Sequence, residues 1–340
     1  MHKTVNIYFV ASPLQYLAAS AIAEHLEHNG RQVLIWYKPG IESVIIPQDW
    51  DATCYMPWPR LEPLPGIFGR IRRQLQNLEL VANLVGKCEV LNIHSAVFDT
   101  EAINFFLRAL PRTSGAKQMH ARILPDGVIS TRRYPLSLLK QALQYLKKTR
   151  LLIDPRLDYW CFRGDRIGSD APFCDRIYVM AGFPHEYPSN KVITLPSLVK
   201  RPNTGTKTTR KALVVGQPLV GSGLISASAL DVITKEIHDW LVQEQFDVIE
   251  YKGHPKDPNS ELCHNDYIVL QLNEPLETWM SKTHYDAVLG VRSSSLLFAR
   301  QIYSADTKVV AFGWNRIKFK SNAECNDMRQ VFIKCGIKLN

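Results

Sequence analysis

The sequence predicts an α/β protein made of two Rossmann-like domains, each a parallel sheet wrapped by crossover helices, the two facing a cleft. Three observations predict it. Short apolar runs alternate with stretches of helical spacing along the chain, the pattern of strands joined through helices. That alternation breaks once, at Pro196 to Lys211, a stretch rich in proline, threonine and basic residues with no periodicity, and then restarts. The chain has 340 residues, enough to bury two substantial cores. The domains are expected at 1–200 and 206–340.

Taken in order, Val5 to Val10 is the first strand, and the turn Ala11-Ser12-Pro13-Leu14-Gln15 leads into a helix through Leu17, Ala21 and Leu26. Gln32 to Tyr37 is the second strand. A proline-rich passage, Pro57 to Pro65, precedes a helix from about Ile67 to Val85, and Cys88 to His94 is the third strand. Ala102 to Leu110 is helical, and Ala121 to Leu124 runs into Pro125-Asp126-Gly127. Leucines recur at helical spacing over Leu136 to Leu152, with Lys140, Lys147, Lys148 and Arg150 between them. The first expectation for this helix is leucines packed on the core with a solvated basic face. The second is reversible contact with an anionic membrane surface. Arg176 to Met180 and Lys191 to Thr194 close the first half. The second half reads as a strand at Lys211 to Val215 ending in Gly216-Gln217-Pro218, a helix from about Ala227 to Glu244, and strands at Phe246 to Glu250 and Tyr267 to Leu270. A helix from Leu276 and strands at Tyr285 to Gly290 and Lys308 to Phe312 follow.

Composition is that of a globular protein, 46% apolar and 21% charged. The net charge of +9 suits an anionic partner, but the basic residues are scattered and form no nucleic-acid arm. Seven cysteines without a C-x-x-C argue for reduced thiols in a cytoplasmic protein and against a zinc site. Met1 to Ala23 imitates a signal peptide, but Pro13 and Gln15 interrupt it, and no apolar stretch is long enough to span a membrane.

Chemistry concentrates late in the chain. Lys252-Gly253-His254-Pro255 sits at the carboxyl edge of a strand, Glu277 at a helix start, and Ser293-Ser294-Ser295 at another. In open α/β sheets ligands bind outside the carboxyl ends of the strands, and helix starts attract anions. Taken singly, Gly-His-Pro reads as a turn and a serine run as an N-cap; their order suggests one phosphate site. A phosphate loop and a serine-hydrolase elbow are absent, and Gly221-Ser-Gly-Leu-Ile-Ser226 only half matches a dinucleotide fingerprint. Asp49-Trp50-Asp51 is the one D-x-D, able in principle to hold a divalent metal against nucleotide phosphates; a solvated turn is the favoured reading. Without a metal, a departing phosphate needs protein donors and positive charge, which His254, Ser294 and Ser295 offer. Glu277 can accept two ribose hydroxyls, and Asp126 can serve as a base.

Pro125-Asp126-Gly127, Lys252-Gly253-His254-Pro255 and Ser294-Ser295-Leu296, with Glu277 ahead of the serines and Ala11-Ser-Pro-Leu-Gln15 at the start, resemble the motifs of the bacterial sialyltransferases. The resemblance implies a GT-B fold and an inverting, metal-independent transfer from CMP-activated nonulosonic acid, with no cofactor beyond that donor. It implies Asp126 as base and His254 as the group assisting CMP departure. Ser294 and Ser295 then fall on the phosphate and Glu277 on the ribose, with Lys252, Gly253, Pro255, Ser12, Gln15 and Gly216 around the donor. The first acidic position of the family motif is Pro125 here, so Asp231, upstream of the histidine, is the reserve base. The implied acceptor is a galactose-type hydroxyl of an oligosaccharide or lipid-linked precursor (O-antigen, lipooligosaccharide or capsule). The expected place is the cytoplasm, with peripheral contact at the inner membrane face. The alternatives are a metal-dependent sugar transferase using Asp49 and Asp51, and a non-catalytic basic protein docking on membrane or nucleic acid.

Overall fold

The computed structural model describes residues 2–126, 133, 135–199, 209–254, 256–319 and 321–340. It divides into two compact units: residues 1–179 with 185–195, and residues 180–184 with 196–340. Gly127, Pro255 and most of the linker lie outside the described residues.

Unit 1 runs β1 (His2–Val10), α1 (Pro13–His25), β2 (Arg31–Trp36), β3 (Ala52–Tyr55), α2 (Gly69–Val85) and β4 (Cys88–Ser95). It continues α3 (Glu101–Asn104), α4 (Phe106–Ser114), β5 (Gln118–Ile123), α5 (Leu138–Lys148), β6 (Cys174–Met180) and β7 (Val192–Leu195). The sheet order is β3-β2-β1-β4-β5-β6-β7, so the order in which strands are added reverses between β1 and β4, which run parallel. Both faces of β1 are buried: Val5, Ile7 and Phe9 pack in one core cluster with Leu78, Val81 and Phe106, while Tyr8 lies against His94 on the other face. Burial on two sides is why the strand reads as continuous apolar sequence. The sequence reading passed over β3, a four-residue edge strand. Asp51 pins it by accepting the Gln32 N–H at 2.7 Å.

Unit 2 runs β8 (Lys211–Val215), α6 (Ala227–Gln243), β9 (Val248–Lys252), β10 (Ile268–Val269), α7 (Leu276–Lys282) and β11 (Ala287–Gly290). It ends with α8 (Ser294–Ile302), β12 (Lys308–Ala311), α9 (Asn322–Lys334) and β13 (Lys338–Leu339). Its parallel sheet has the order β10-β9-β8-β11-β12-β13, which puts the reversal between β8 and β11. The expected strand at 246–250 is shifted: β9 extends through Lys252 because Lys252 pairs with Val215 of β8. α9 and β13 were not expected, although Ser321-Asn-Ala-Glu324 is a capping-box sequence and Ser321 accepts the Glu324 N–H at 3.1 Å. All seven cysteines are unpaired.

One expectation is overturned. α5 does not pack its leucines on the core: Leu138 is 83% exposed, Leu139 72% and Leu146 66%, and the buried residue of the helix is Gln144. The inward edge is polar because the chain it covers is irregular. Gln144 donates to the Phe162 carbonyl at 3.2 Å and accepts the Phe162 N–H at 2.6 Å, and Gln141 donates to the Leu136 carbonyl at 3.1 Å.

Candidate functional site

The unit 2 candidates converge on the carboxyl edge of the sheet where its order reverses, the position at which open α/β sheets bind ligands. Three strand ends build it. β8 ends in Gly216-Gln217, β9 in Lys252-Gly253-His254, and β11 in Val291-Arg292 ahead of α8. The Gly216 N–H donates to the Lys252 carbonyl at 2.9 Å, and Arg292 N–H donates to the Gln217 side-chain oxygen at 2.9 Å, so the three ends are tied together. Gly216 admits no side chain. A Cβ there would lie 2.4 Å from the Tyr251 hydroxyl and 3.1 Å from the Gly253 Cα, and Tyr251 is fully buried.

His254 is exposed at the head of a turn. Its Nδ1 accepts the Lys256 N–H at 3.1 Å, and its carbonyl accepts the Asp257 N–H at 2.9 Å. A neutral ring with Nδ1 accepting carries its proton on Nε2, which makes Nε2 a hydrogen-bond donor. The turn is braced from below. Buried Asp257 accepts the amides of Asn259 and Glu261, and Glu261 accepts those of Val220 at 2.7 Å and Gly221 at 3.1 Å. The Tyr251 hydroxyl donates to the Glu261 carbonyl at 2.8 Å. The loop therefore fastens His254 to the chain that leaves β8.

At α8, Ser293 is the N-cap: its hydroxyl accepts the Ser295 N–H at 3.2 Å. Ser294 is exposed on the first turn, whereas Ser295 is buried and its hydroxyl donates to a Glu277 carboxylate oxygen at 3.4 Å. The structure thus brings together two residues to which the sequence assigns separate tasks. Arg292 was missed, although it stands immediately before the serine run. Its guanidinium lies 3.4 Å from Glu324 and over the Phe319 ring, and supplies positive charge beside the start of α8.

In unit 1, Asp126 follows β5 at the carboxyl edge of that sheet. Gln15 donates to an Asp126 carboxylate oxygen at 2.9 Å, and its own side-chain oxygen accepts the Ala11 N–H at 2.7 Å. Ser12 caps α1 by accepting the Gln15 N–H at 3.3 Å, with Pro13 pre-setting the first turn. The opening loop therefore positions Asp126 within its own unit. Burial, and then the charge of Asp126, raise the pKa of the Tyr37 phenol, so Tyr37 stays protonated. Asp231 is exposed near the start of α6 in unit 2. Asp49 and Asp51 stand at the amino edge of β3, opposite the ligand-binding edge, and Asp51 is engaged by Gln32. Among the described residues, His238, His264 and Asp266 have spacing that could hold a metal, but His264 and Asp266 lie just ahead of β10, also at an amino edge.

Residues 183–311 match the α-2,8-polysialyltransferase (POLYST) family, a span that holds every unit 2 candidate named above except Glu324 and Phe319. No curated protein matches the chain in sequence. Among solved structures, an α/β-galactoside α-2,3-sialyltransferase from Photobacterium phosphoreum superposes with a TM-score of 0.53 at 13% identity, covering 99% of this chain and 98% of that one. The GT-B domain of a Photobacterium damselae sialyltransferase superposes with a TM-score of 0.50 at 13% identity, covering 99% of both chains. The structural likeness shows the GT-B fold, and the family match over residues 183–311 indicates a glycosyltransferase, similar in that span to the polysialyltransferases.

Proposed function

We propose that the chain moves sialic acid from CMP-sialic acid to a galactose-type hydroxyl of a cell-surface glycan precursor, with inversion at the anomeric carbon and without a metal. The observation that carries this reading is the tie between the β8, β9 and β11 strand ends at the unit 2 reversal point, where a histidine donor, a helix start and an oriented glutamate come together. Glu277, held by Ser295, accepts the ribose hydroxyls. Ser294, the start of α8 and Arg292 face the phosphate with hydroxyl, amide and positive charge. The acceptor hydroxyl gives its proton to Asp126, whose orientation Gln15 fixes, and its oxygen attacks the anomeric carbon. The bond from that carbon to the phosphate oxygen breaks, and CMP leaves with the electron pair. His254 donates from Nε2 to the phosphate as its second charge develops. A single phosphate can be held by such groups, which is why no metal is invoked. The work belongs, in this proposal, to the cytoplasmic face of the membrane; among the described residues no helix is long and apolar enough to cross one.

The family match favours a second reading of the acceptor, a sialic acid terminus in place of galactose. Its span, residues 183–311, does not include Asp126. The test incubates the protein with CMP-sialic acid and EDTA, offering in parallel a galactose-terminated and a sialic acid-terminated oligosaccharide. CMP release with a product of inverted anomeric configuration supports the reaction, and the acceptor consumed decides between the readings. Absence of both CMP release and product in a folded preparation refutes it.

A further inference from the structure

α5 is built the reverse of a core helix. Leu138, Leu139, Leu143 and Leu146 share an arc of its surface and are exposed, while the opposite edge meets the protein through Gln141 and Gln144. Lys140 and Lys147 border one side of the leucine arc, Lys148 lies toward the glutamine edge, and Leu152 and Ile153 continue the exposed apolar surface beyond the helix. An apolar arc on a two-sided helix, unused by the protein that carries it, is a surface for another phase or another molecule.

A second feature adjoins it. A cavity of about 830 Å³ in unit 1 is lined by Arg60, Arg70, Lys147, Arg150 and Arg166, five cations against the two carboxylates Asp99 and Glu101. Arg150 pairs with Glu101 and Arg166 with Asp99. Among the described residues Arg60, Arg70 and Lys147 form no salt bridge. Phe68 lines the same cavity, 67% exposed and held at φ 63°, and neighbouring Ile67 is 83% exposed. A left-handed backbone is costly for a bulky aromatic residue, and here the strain presents an apolar ring to solvent instead of burying it.

We propose that α5, the turn after it and Ile67–Phe68 form one docking surface for an anionic lipid bilayer. The leucines and Phe68 enter the interface, and the cavity beside them receives lipid headgroup phosphate. Charge complementarity selects this occupant: the apolar surface is rimmed by cations, and the cavity keeps an excess of three positive groups after its internal pairs are counted. An apolar arc rimmed by cations matches the boundary between acyl chains and anionic headgroups. Docking on a surface requires no spanning helix, in keeping with the described helices.

The test is sedimentation of the full chain with vesicles of phosphatidylcholine, with and without phosphatidylglycerol. It needs neither donor nor acceptor, so its outcome is independent of the proposed transfer reaction. Binding is expected to the anionic vesicles alone, and to fall about tenfold or more as salt shortens the Debye length from about 10 Å to a few ångströms. Leu139→Ser with Leu146→Ser should weaken it by roughly 30-fold, since each leucine gives up interfacial burial. Both residues are exposed, so circular dichroism should report an unchanged fold. Lys140→Glu with Lys147→Glu should abolish the preference for anionic lipid. Failure to bind, equal binding to both vesicles, or indifference to the leucine changes overturns the proposal. So does lipid-free self-association lost in the leucine variant, which assigns the face to a second copy, or competition by a soluble anionic oligosaccharide, which assigns the cavity to a glycan.

Discussion

The bond from Ser295 to Glu277 separates two accounts of the serine pair, and a double-mutant cycle distinguishes them. Ser295→Ala removes a hydroxyl that donates to a carboxylate at 3.4 Å. Hydrogen bonds to charged groups contribute about 1.5–3 kcal/mol, and a contact this long belongs at or below the lower end, so CMP binding should weaken by roughly 5–10-fold. Glu277→Ala removes the acceptor of two ribose hydroxyls and should cost roughly 100-fold. If Ser295 acts only by orienting Glu277, the double variant should bind CMP no more weakly than Glu277→Ala, a coupling of about 1 kcal/mol. Ser294→Ala, altering the exposed first-turn residue, should instead add to Glu277→Ala. Isothermal titration of CMP into the four proteins measures this, with circular dichroism to certify the fold. Full additivity of Ser295→Ala and Glu277→Ala, near 1,000-fold in the double variant, would falsify the positioning role and return Ser295 to the phosphate.

Four further outcomes are expected. His254→Ala should lower kcat by roughly 10²–10⁴ with the fold intact, because the residue is exposed; wild-type turnover removes it from the mechanism. Gly216→Ala drives a methyl group into the Tyr251 hydroxyl and the Gly253 backbone, so stability should fall by about 1–3 kcal/mol and CMP affinity with it; an unchanged Tm and Kd would show that the strand ends yield without cost. Gln15→Ala should reduce kcat while leaving CMP affinity unaltered, since Gln15 engages Asp126 within unit 1; loss of CMP affinity would restore a donor-binding role. EDTA should leave activity largely intact and Asp49→Ala should be neutral. Loss of activity in EDTA, rescued by Mn²⁺ and abolished by Asp49→Ala, would favour the metal-dependent reaction.

Much of the fold was legible because buried parallel strands carry their signature in every residue. Val5 to Val10, apart from Asn6, and Ala212 to Val215 are apolar on both faces. The edge strand β3 was not legible, since four half-buried residues held partly by Asp51 have no pattern of their own. At the site, strand ends and helix starts were legible through the turn chemistry of Gly253-His254 and Ser293. The partners across the fold were not. Gln15 with Asp126 and Ser295 with Glu277 are 111 and 18 residues apart, and only the sheet order brings each pair within reach. Arg292 escaped notice for a related reason: a lone arginine is unremarkable until the structure sets it between Gln217, Glu324 and the start of a helix.

The reversal of α5 follows from what lies beneath it. Helical spacing determines which residues share a face, but the inward face is decided by the surface available to cover. Beneath α5 the chain around Phe162 belongs to no helix or strand, so its N–H and C=O groups lack the partners regular structure would provide. A leucine there would leave both unsatisfied, at about 1–3 kcal/mol for each group. A glutamine amide carries one acceptor and two donors, so Gln144 satisfies the Phe162 N–H and carbonyl together, and Gln141 adds a bond to the Leu136 carbonyl. Facing the glutamines inward sets the leucines about half a turn away, in solvent. Their exposure is thus a consequence of the polar seam, and the cost of that exposed apolar surface is what an anionic bilayer would relieve.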